Sequence, residues 1–167
     1  TLWTDHNDFL DQRESGWIMI PAQDNQEVLD TIIQAYRIAE HEKVLLPVMV
    51  NMDGFILSHT EEVVDMPNTE DVDHFLPSYR PKHSYFNPSK PMIQGAAVLD
   101  PDDYTFFKYQ QHRASLNALE VIRDVSREFE KSFGRKYGLA ESYGLGDADY
   151  AIVMQGSLST LARLAIE

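Results

Sequence analysis

Apolar residues recur along this chain in two rhythms, one with the length of a strand and one with the period of a helix. Trp17-Ile18-Met19-Ile20-Pro21 and Val44-Leu45-Leu46-Pro47-Val48-Met49-Val50 are short runs rich in Ile and Val. Between them Val28, Leu29, Ile32, Ile33, Tyr36 and Ala39 fall at helical spacing. The pattern predicts strand, helix, strand, the crossover that lays two strands parallel in a sheet covered by helices. Ligands of such sheets bind beyond the carboxyl ends of the strands. The second strand delivers Asn51, Asp53, Gly54, Phe55, Ser58 and His59 to that place.

The rest of the chain is read around this unit. Thr1 to Thr4 is expected to be the tail of a strand, followed by the polar cluster Asp5-His6-Asn7-Asp8 and a short helical piece through Gln12, Arg13 and Glu14. Asp24 or Asn25 caps the crossover helix, Glu27 favours its dipole from the first turn, and the helix ends near His41 and Lys43. Val44 to Val50 is apolar enough for a strand buried on both faces, with Pro47 placing it near an edge or bending it. From Glu61 to Pro101, Pro67, Pro77, Pro81, Pro88 and Pro91 interrupt the run and forbid long helices and central strands. Phe75, Leu76, Tyr79, Tyr85 and Phe86 are too apolar for a disordered linker, so this is an extended arm packed over a surface. Asp100-Pro101-Asp102-Asp103 opens a helix that runs to Phe133, with Leu119, Ile122, Val125, Phe129 and Phe133 along one stripe. Residues 135–149, with three glycines, read as a linker. Tyr150 to Met154 is expected to be a new buried strand, and Gln155-Gly156-Ser157 a tight turn into another helix, the usual opening of a second α/β domain.

Composition narrows the function classes. A formal net charge of -13 argues against nucleic acid or an anionic membrane surface as partner, since both are bound through Lys and Arg. No apolar run approaches the roughly 18 residues of a membrane span. There is no cysteine, which excludes a disulfide framework, a thiol nucleophile and a thiolate ligand to an iron–sulfur cluster within this sequence. The lack of a signal-like segment favours a cytoplasmic location. Thr1 in place of Met, and a helix that has only begun when Glu167 is reached, lead to the expectation of a fragment of a longer chain.

Several groups of residues bear on chemistry. Asp5-His6-Asn7-Asp8 is either a ligand loop after a strand or a solvated helix start, because Asp and Asn cap helices. Ser58-His59 invites a hydrolase reading, but neighbours in sequence rarely direct their side chains so that His can deprotonate that Ser, and no Gly-x-Ser-x-Gly elbow is present. A metal site would have to combine Asp5, His6, Asp8 and His59 without any recognised local spacing. Gly156-Ser157 resembles half of a phosphate-cradling turn, for which a plain structural turn is the simpler account. Around Asn51-Met52-Asp53-Gly54-Phe55, glycine permits a sharp change of direction. Asp53 either faces a cleft or merely stabilises the turn.

The order of these pieces carries a resemblance. Asp5-His6-x-Asp8, Arg13-Glu14-Ser15-Gly16-Trp17-Ile18, Asn25-Gln26-Glu27-Val28-Leu29-Asp30, Leu46-Pro47-Val48, Asp53-Gly54-Phe55-x-x-Ser58-His59 and Met154-Gln155-Gly156-Ser157 follow one another in a way that resembles the alpha subunit of the 2-oxoacid:ferredoxin oxidoreductases that act on pyruvate. The resemblance implies that residues 1–134 are the C-terminal part of a pyrimidine-binding domain of the thiamine diphosphate enzymes, with its arm and long helix, and that residues 150–167 start a domain like the transketolase C-terminal one. It implies thiamine diphosphate with Mg, shared with a partner subunit; [4Fe-4S] clusters on other chains; coenzyme A as co-substrate; and beta, gamma and delta type subunits, with ferredoxin reached through one of them. The chemistry would be oxidative decarboxylation of a 2-oxoacid, in which the cofactor does the hard step and the protein orients it. The family's glutamate toward the aminopyrimidine, and its threonine and arginine toward the substrate carboxylate, precede Thr1, so no catalytic role is assigned here. What remains are wall residues expected to line or buttress the cofactor cavity: Asp5, His6, Asp8, Asn51, Asp53, Phe55, Ser58 and His59.

Overall fold

The structure, a computed structural model, describes residues 2–93, 95 and 97–166. In chain order these form α1 (Asn7–Leu10), β1 (Ile18–Pro21), α2 (Asn25–Ala39), β2 (Val48–Asn51), α3 (Ile56–His59), α4 (Thr69–Phe75), α5 (Pro101–Phe133) and α6 (Leu158–Ile166). β1 and β2 pair in parallel, with Ile18 opposite Val48 and Pro21 opposite Asn51. The register continues past the strands, where the Ala22 N–H donates to the Asn51 carbonyl at 3.0 Å. Both strands therefore end at the same level, and their loops emerge side by side.

Helix α2 makes the crossover. Asp24 caps it by accepting the Glu27 N–H at 2.7 Å, and the Glu27 carboxylate reaches back to accept the Gln23 N–H at 2.7 Å. This reciprocal pairing satisfies donors that a helix start would otherwise leave unpaired. One face of the sheet, α2, α4 and α5 enclose the core: Ile33, Ile38, Val44, Phe75, Ala118, Val121, Val125 and Phe129. Phe129 is fully buried, and its ring meets Phe75 edge-on at 5.4 Å between centroids. Asp100 caps α5 by accepting the Asp102 N–H at 2.8 Å, Pro101 opens it, and Gly134 closes it in the left-handed conformation.

Several expectations need correction. Leu2 to Thr4 bends instead of forming a strand, and Thr1 lies outside the described residues. The first helix is Asn7–Leu10, ahead of the predicted Gln12–Glu14 piece, which is a turn. β2 starts only at Val48, because Leu45 takes a φ of +48° and leaves the extended region. The buried line on α5 runs through Ala118, Val121, Val125 and Phe129, leaving Leu119 exposed. On α2, Ile32 and Tyr36 face outward, while Asp30 and Thr31 are buried. Tyr150 to Met154 has no regular structure and joins no sheet among the described residues, and Tyr150, Ile152 and Val153 stand almost wholly exposed. An apolar strand needs neighbours that supply ladder bonds and cover, and none packs on this segment among the described residues. The described residues of the arm between 76 and 100 form no helix or strand, and Phe86, Ile93 and Leu99 are exposed.

Arg135 and Tyr137 are tied back to α2. The Arg135 guanidinium forks onto buried Asp30, with Nε to Oδ2 at 2.5 Å and Nη2 to Oδ1 at 2.9 Å, and its Nη1 donates to Asp65 at 2.7 Å. The Tyr137 hydroxyl donates to Asp30 Oδ2 at 2.6 Å. Hydrogen bonding to the carboxylate holds the guanidinium above its usual range, and burial followed by Asp30 pushes the phenol well above its own.

Candidate functional site

The loops beyond β1 and β2 bring three distant parts of the chain together. Asn51, the last residue of β2, donates from its side-chain amide to His6 Nδ1 at 2.9 Å. Thr4 reaches the same loop, with its hydroxyl donating to the Gly54 carbonyl at 3.1 Å. From the far end of the chain, the Ser157 N–H and hydroxyl both donate to Asp53 Oδ2, at 2.8 and 2.6 Å. Asp53 and Ser157 are both buried.

Gly156 makes this convergence possible. Its φ is +69°, which L side chains rarely adopt. A Cβ there would stand 2.8 Å from Asp53 Oδ2, 2.9 Å from His6 Cε1 and 3.1 Å from His6 Nε2. The glycine lets α6 start directly against the carboxylate and the imidazole. The turn does cradle an anion at a helix start, and the anion is Asp53. Among the described residues, His6 Nε2 and Asp53 Oδ1 are buried with no hydrogen-bond partner. With Nδ1 accepting from Asn51, a neutral His6 carries its proton on Nε2.

Phe55 is the second notable feature. It is not glycine, yet its φ is +64° and its ψ is -63°. Such a conformation costs of order 1–3 kcal/mol and persists where surroundings over-determine it. Ser58 Oγ accepts the Phe55 N–H at 3.0 Å, and the His59 N–H donates to the Phe55 carbonyl at 3.1 Å. The result is an aromatic ring more than half exposed at the strand end, stacked on His59 with 6.1 Å between centroids.

The predicted site residues thus divide. His6, Asn51 and Asp53 form one knot, and Phe55, Ser58 and His59 continue from it on the exposed side of the same loop. Asp8 stands apart: it is exposed, and its carboxylate accepts the Phe9 N–H at 2.9 Å at the start of α1. Asp5 lies next to His6 in sequence and is half-buried. Contrary to expectation, Ser58 Oγ does meet His59 Nδ1, at 2.7 Å. The pair is exposed and Ser58 is engaged in the turn at Phe55, so it stiffens the loop. Gly156 and Ser157, which the sequence reads as a plain turn, belong to this knot; a glycine just ahead of a helix is the signal the sequence offers.

The electrostatics of the rim add one shifted group: burial raises Glu27 above the usual carboxylate range, partly offset by the Gln23 N–H. Among the described residues no three His, Asp or Glu side chains gather as a metal site. Two open concavities, of about 240 and 250 Å³, lie at the end of α2 and beside Gly16, away from the rim. The rim is an open ledge, with Phe55 and His59 on its surface.

A parallel crossover with a polar knot and a presented aromatic ring at the carboxyl ends of its strands defines an α/β ligand-binding domain. Residues 1–127 match the family described as pyruvate flavodoxin/ferredoxin oxidoreductase, thiamine diphosphate-binding, and the chain belongs to that family. Over 168 aligned residues it is 49% identical to pyruvate synthase subunit PorA of Methanocaldococcus jannaschii, covering 99% of this chain and 43% of that protein. It is 42% identical to the PorA subunit of Thermotoga maritima, over 98% of this chain and 41% of that one. It is 41% identical to the ketoisovalerate oxidoreductase subunit VorA of Pyrococcus abyssi, over 100% of this chain and 42% of that one. The chain spans about two-fifths of the length of these relatives. No helix among the described residues is long and apolar enough to cross a membrane.

Proposed function

We propose that this chain is part of the alpha subunit of a thiamine diphosphate-dependent 2-oxoacid:ferredoxin oxidoreductase. The reaction is oxidative decarboxylation of pyruvate to acetyl-CoA and carbon dioxide, with electrons passed to ferredoxin. The observation that carries the reading is that the thiamine diphosphate-binding family match contains the whole strand-end rim except Gly156 and Ser157. Relatives named for pyruvate support pyruvate, and the ketoisovalerate relative keeps a branched 2-oxoacid as the second reading.

The rim fits the cofactor's chemistry. A cationic heteroaromatic ring is complemented by an exposed aromatic face, supplied here by Phe55 on His59, and by amide and imidazole groups such as those of Asn51 and His6. Thiamine diphosphate, when bound, supplies the nucleophilic carbon and the electron sink for decarboxylation. This chain's residues orient it: Phe55 offers a flat wall, Asn51 and His6 a polar edge, and Asp53 a buried prop. Asp5, Ser58 and His59 complete the proposed wall. The open ledge calls for an opposite wall from another subunit, which would also hold the diphosphate and Mg. The [4Fe-4S] clusters and the ferredoxin contact then lie on beta, gamma or delta type subunits, in the cytoplasm.

The test is assembly of the full chain with its partner subunits and measurement of 2-oxoacid-dependent, coenzyme A-dependent reduction of a viologen dye. Pyruvate is expected to give the highest kcat/KM. A higher value with 2-oxoisovalerate moves the assignment to the branched substrate. An intact assembly inactive on every 2-oxoacid overturns it in favour of a non-catalytic interaction subunit with its arm as the docking element.

A further inference from the structure

The carboxylate of Asp53 is buried to 1% exposure, and both its oxygens are covered. It cannot touch a ligand on the ledge, although it sits beneath the ledge. One oxygen takes both donors of Ser157. The next residue back, Gly156, lies so close to His6 that a Cβ would reach its ring carbon and Nε2. The other side of that ring is held by Asn51 at the end of β2. His6 is therefore gripped from two sides, by the hydrogen bond from the Asn51 side-chain amide and by the Gly156 backbone that Asp53 clamps through Ser157.

We propose that Asp53 is a positioning residue that sets the His6 ring through the Gly156–Ser157 turn, so that the start of α6 becomes part of the wall on which the ligand sits. Charge-assisted bonds from an N–H and a hydroxyl to one carboxylate oxygen are among the stronger polar contacts, and a low-dielectric setting strengthens them. Residues about a hundred positions apart in sequence are locked into one unit. That the ring forms part of a cofactor wall rests on the function proposed above; that Asp53 holds the ring does not.

The test uses the full-length subunit in its assembled complex. Deuterium exchange at the His6 ring Cε1–H, read by mass spectrometry against His83 as reference, reports the grip without any activity. Asp53→Ala and Ser157→Ala are expected to speed exchange at His6 several-fold while leaving His83 unchanged. Asp53→Asn keeps an acceptor oxygen for Ser157 and is expected to stay near the wild type. In the same preparations the Kd for thiamine diphosphate should rise about tenfold in Asp53→Ala, the scale of one lost hydrogen bond, with most of it recovered in Asp53→Asn. Unchanged His6 exchange in Asp53→Ala, or in Ser157→Ala should the former not assemble, overturns the proposal. So does Asp53→Asn behaving like Asp53→Ala. Faster exchange with an unchanged Kd supports the grip and counts against His6 as part of the cofactor wall.

Discussion

Arg135 closes a two-pronged grip on Asp30, a carboxylate with no exposure at all, across 105 positions of sequence. Both Asp30 oxygens are engaged, because Gln26 and Tyr137 add donors at 3.1 and 2.6 Å. The pair fastens the segment after α5 to the crossover helix that carries the strand-end loops.

Breaking that pair from one side strands a buried charge. Arg135→Ala is expected to destabilise the fold by about 3–5 kcal/mol. Arg135→Lys keeps the charge but loses the fork, so it should fall between Ala and wild type. Denaturant unfolding of the purified subunit measures both.

Tyr137 makes stability fall at alkaline pH. Its folded pKa lies above the unfolded value near 10 because of burial and the Asp30 carboxylate, so its contribution is complete below about pH 10 and is lost as pH rises beyond it. Tyr137→Phe removes the donor to Asp30 at a cost of about 1–2 kcal/mol at neutral pH and should flatten the alkaline limb. Thermal melts from pH 8 to about pH 11 show whether the two profiles converge.

Phe129 is the keystone of the core, fully buried against Phe75, Phe133 and Tyr137. Truncation to Ala should cost about 3–5 kcal/mol. Phe107, about half exposed on the same helix, should tolerate the same change within roughly 0.5 kcal/mol. Equal losses at both sites would mean that the outer half of α5 is also buried.

Gly156→Ala combines an unfavourable φ with a Cβ driven against Asp53 and His6. A loss of about 1–3 kcal/mol is expected. Gly95, with a φ of +74° and no atom within 4 Å of a built Cβ, isolates the backbone part, so Gly95→Ala should cost less. The difference between the two melting shifts measures the crowding at the knot.

Phe55→Gly should separate stability from binding. Glycine accepts φ +64° without strain, so the fold is expected to keep or gain up to about 1 kcal/mol. Thiamine diphosphate affinity of the assembled complex should fall, because the flat wall is gone. Calorimetric titration of cofactor alongside a thermal melt reads both.

Local rules made much of this chain legible in advance. The parallel crossover followed from two strand-length apolar runs around a helical period, and the α5 boundaries from Asp100-Pro101 and Gly134, because caps and periodicity are properties of neighbouring residues. The strand-end position of Asn51 and Asp53 followed from the same order. The pairings that define the site did not. Asp53 with Ser157, His6 with Asn51 and Asp30 with Arg135 join residues that no sequence period relates, and burial alone made Asp53 a prop instead of a contact. Tyr150 to Met154 shows the converse: a strand pattern is only a propensity until neighbours satisfy its backbone, and within these residues none does.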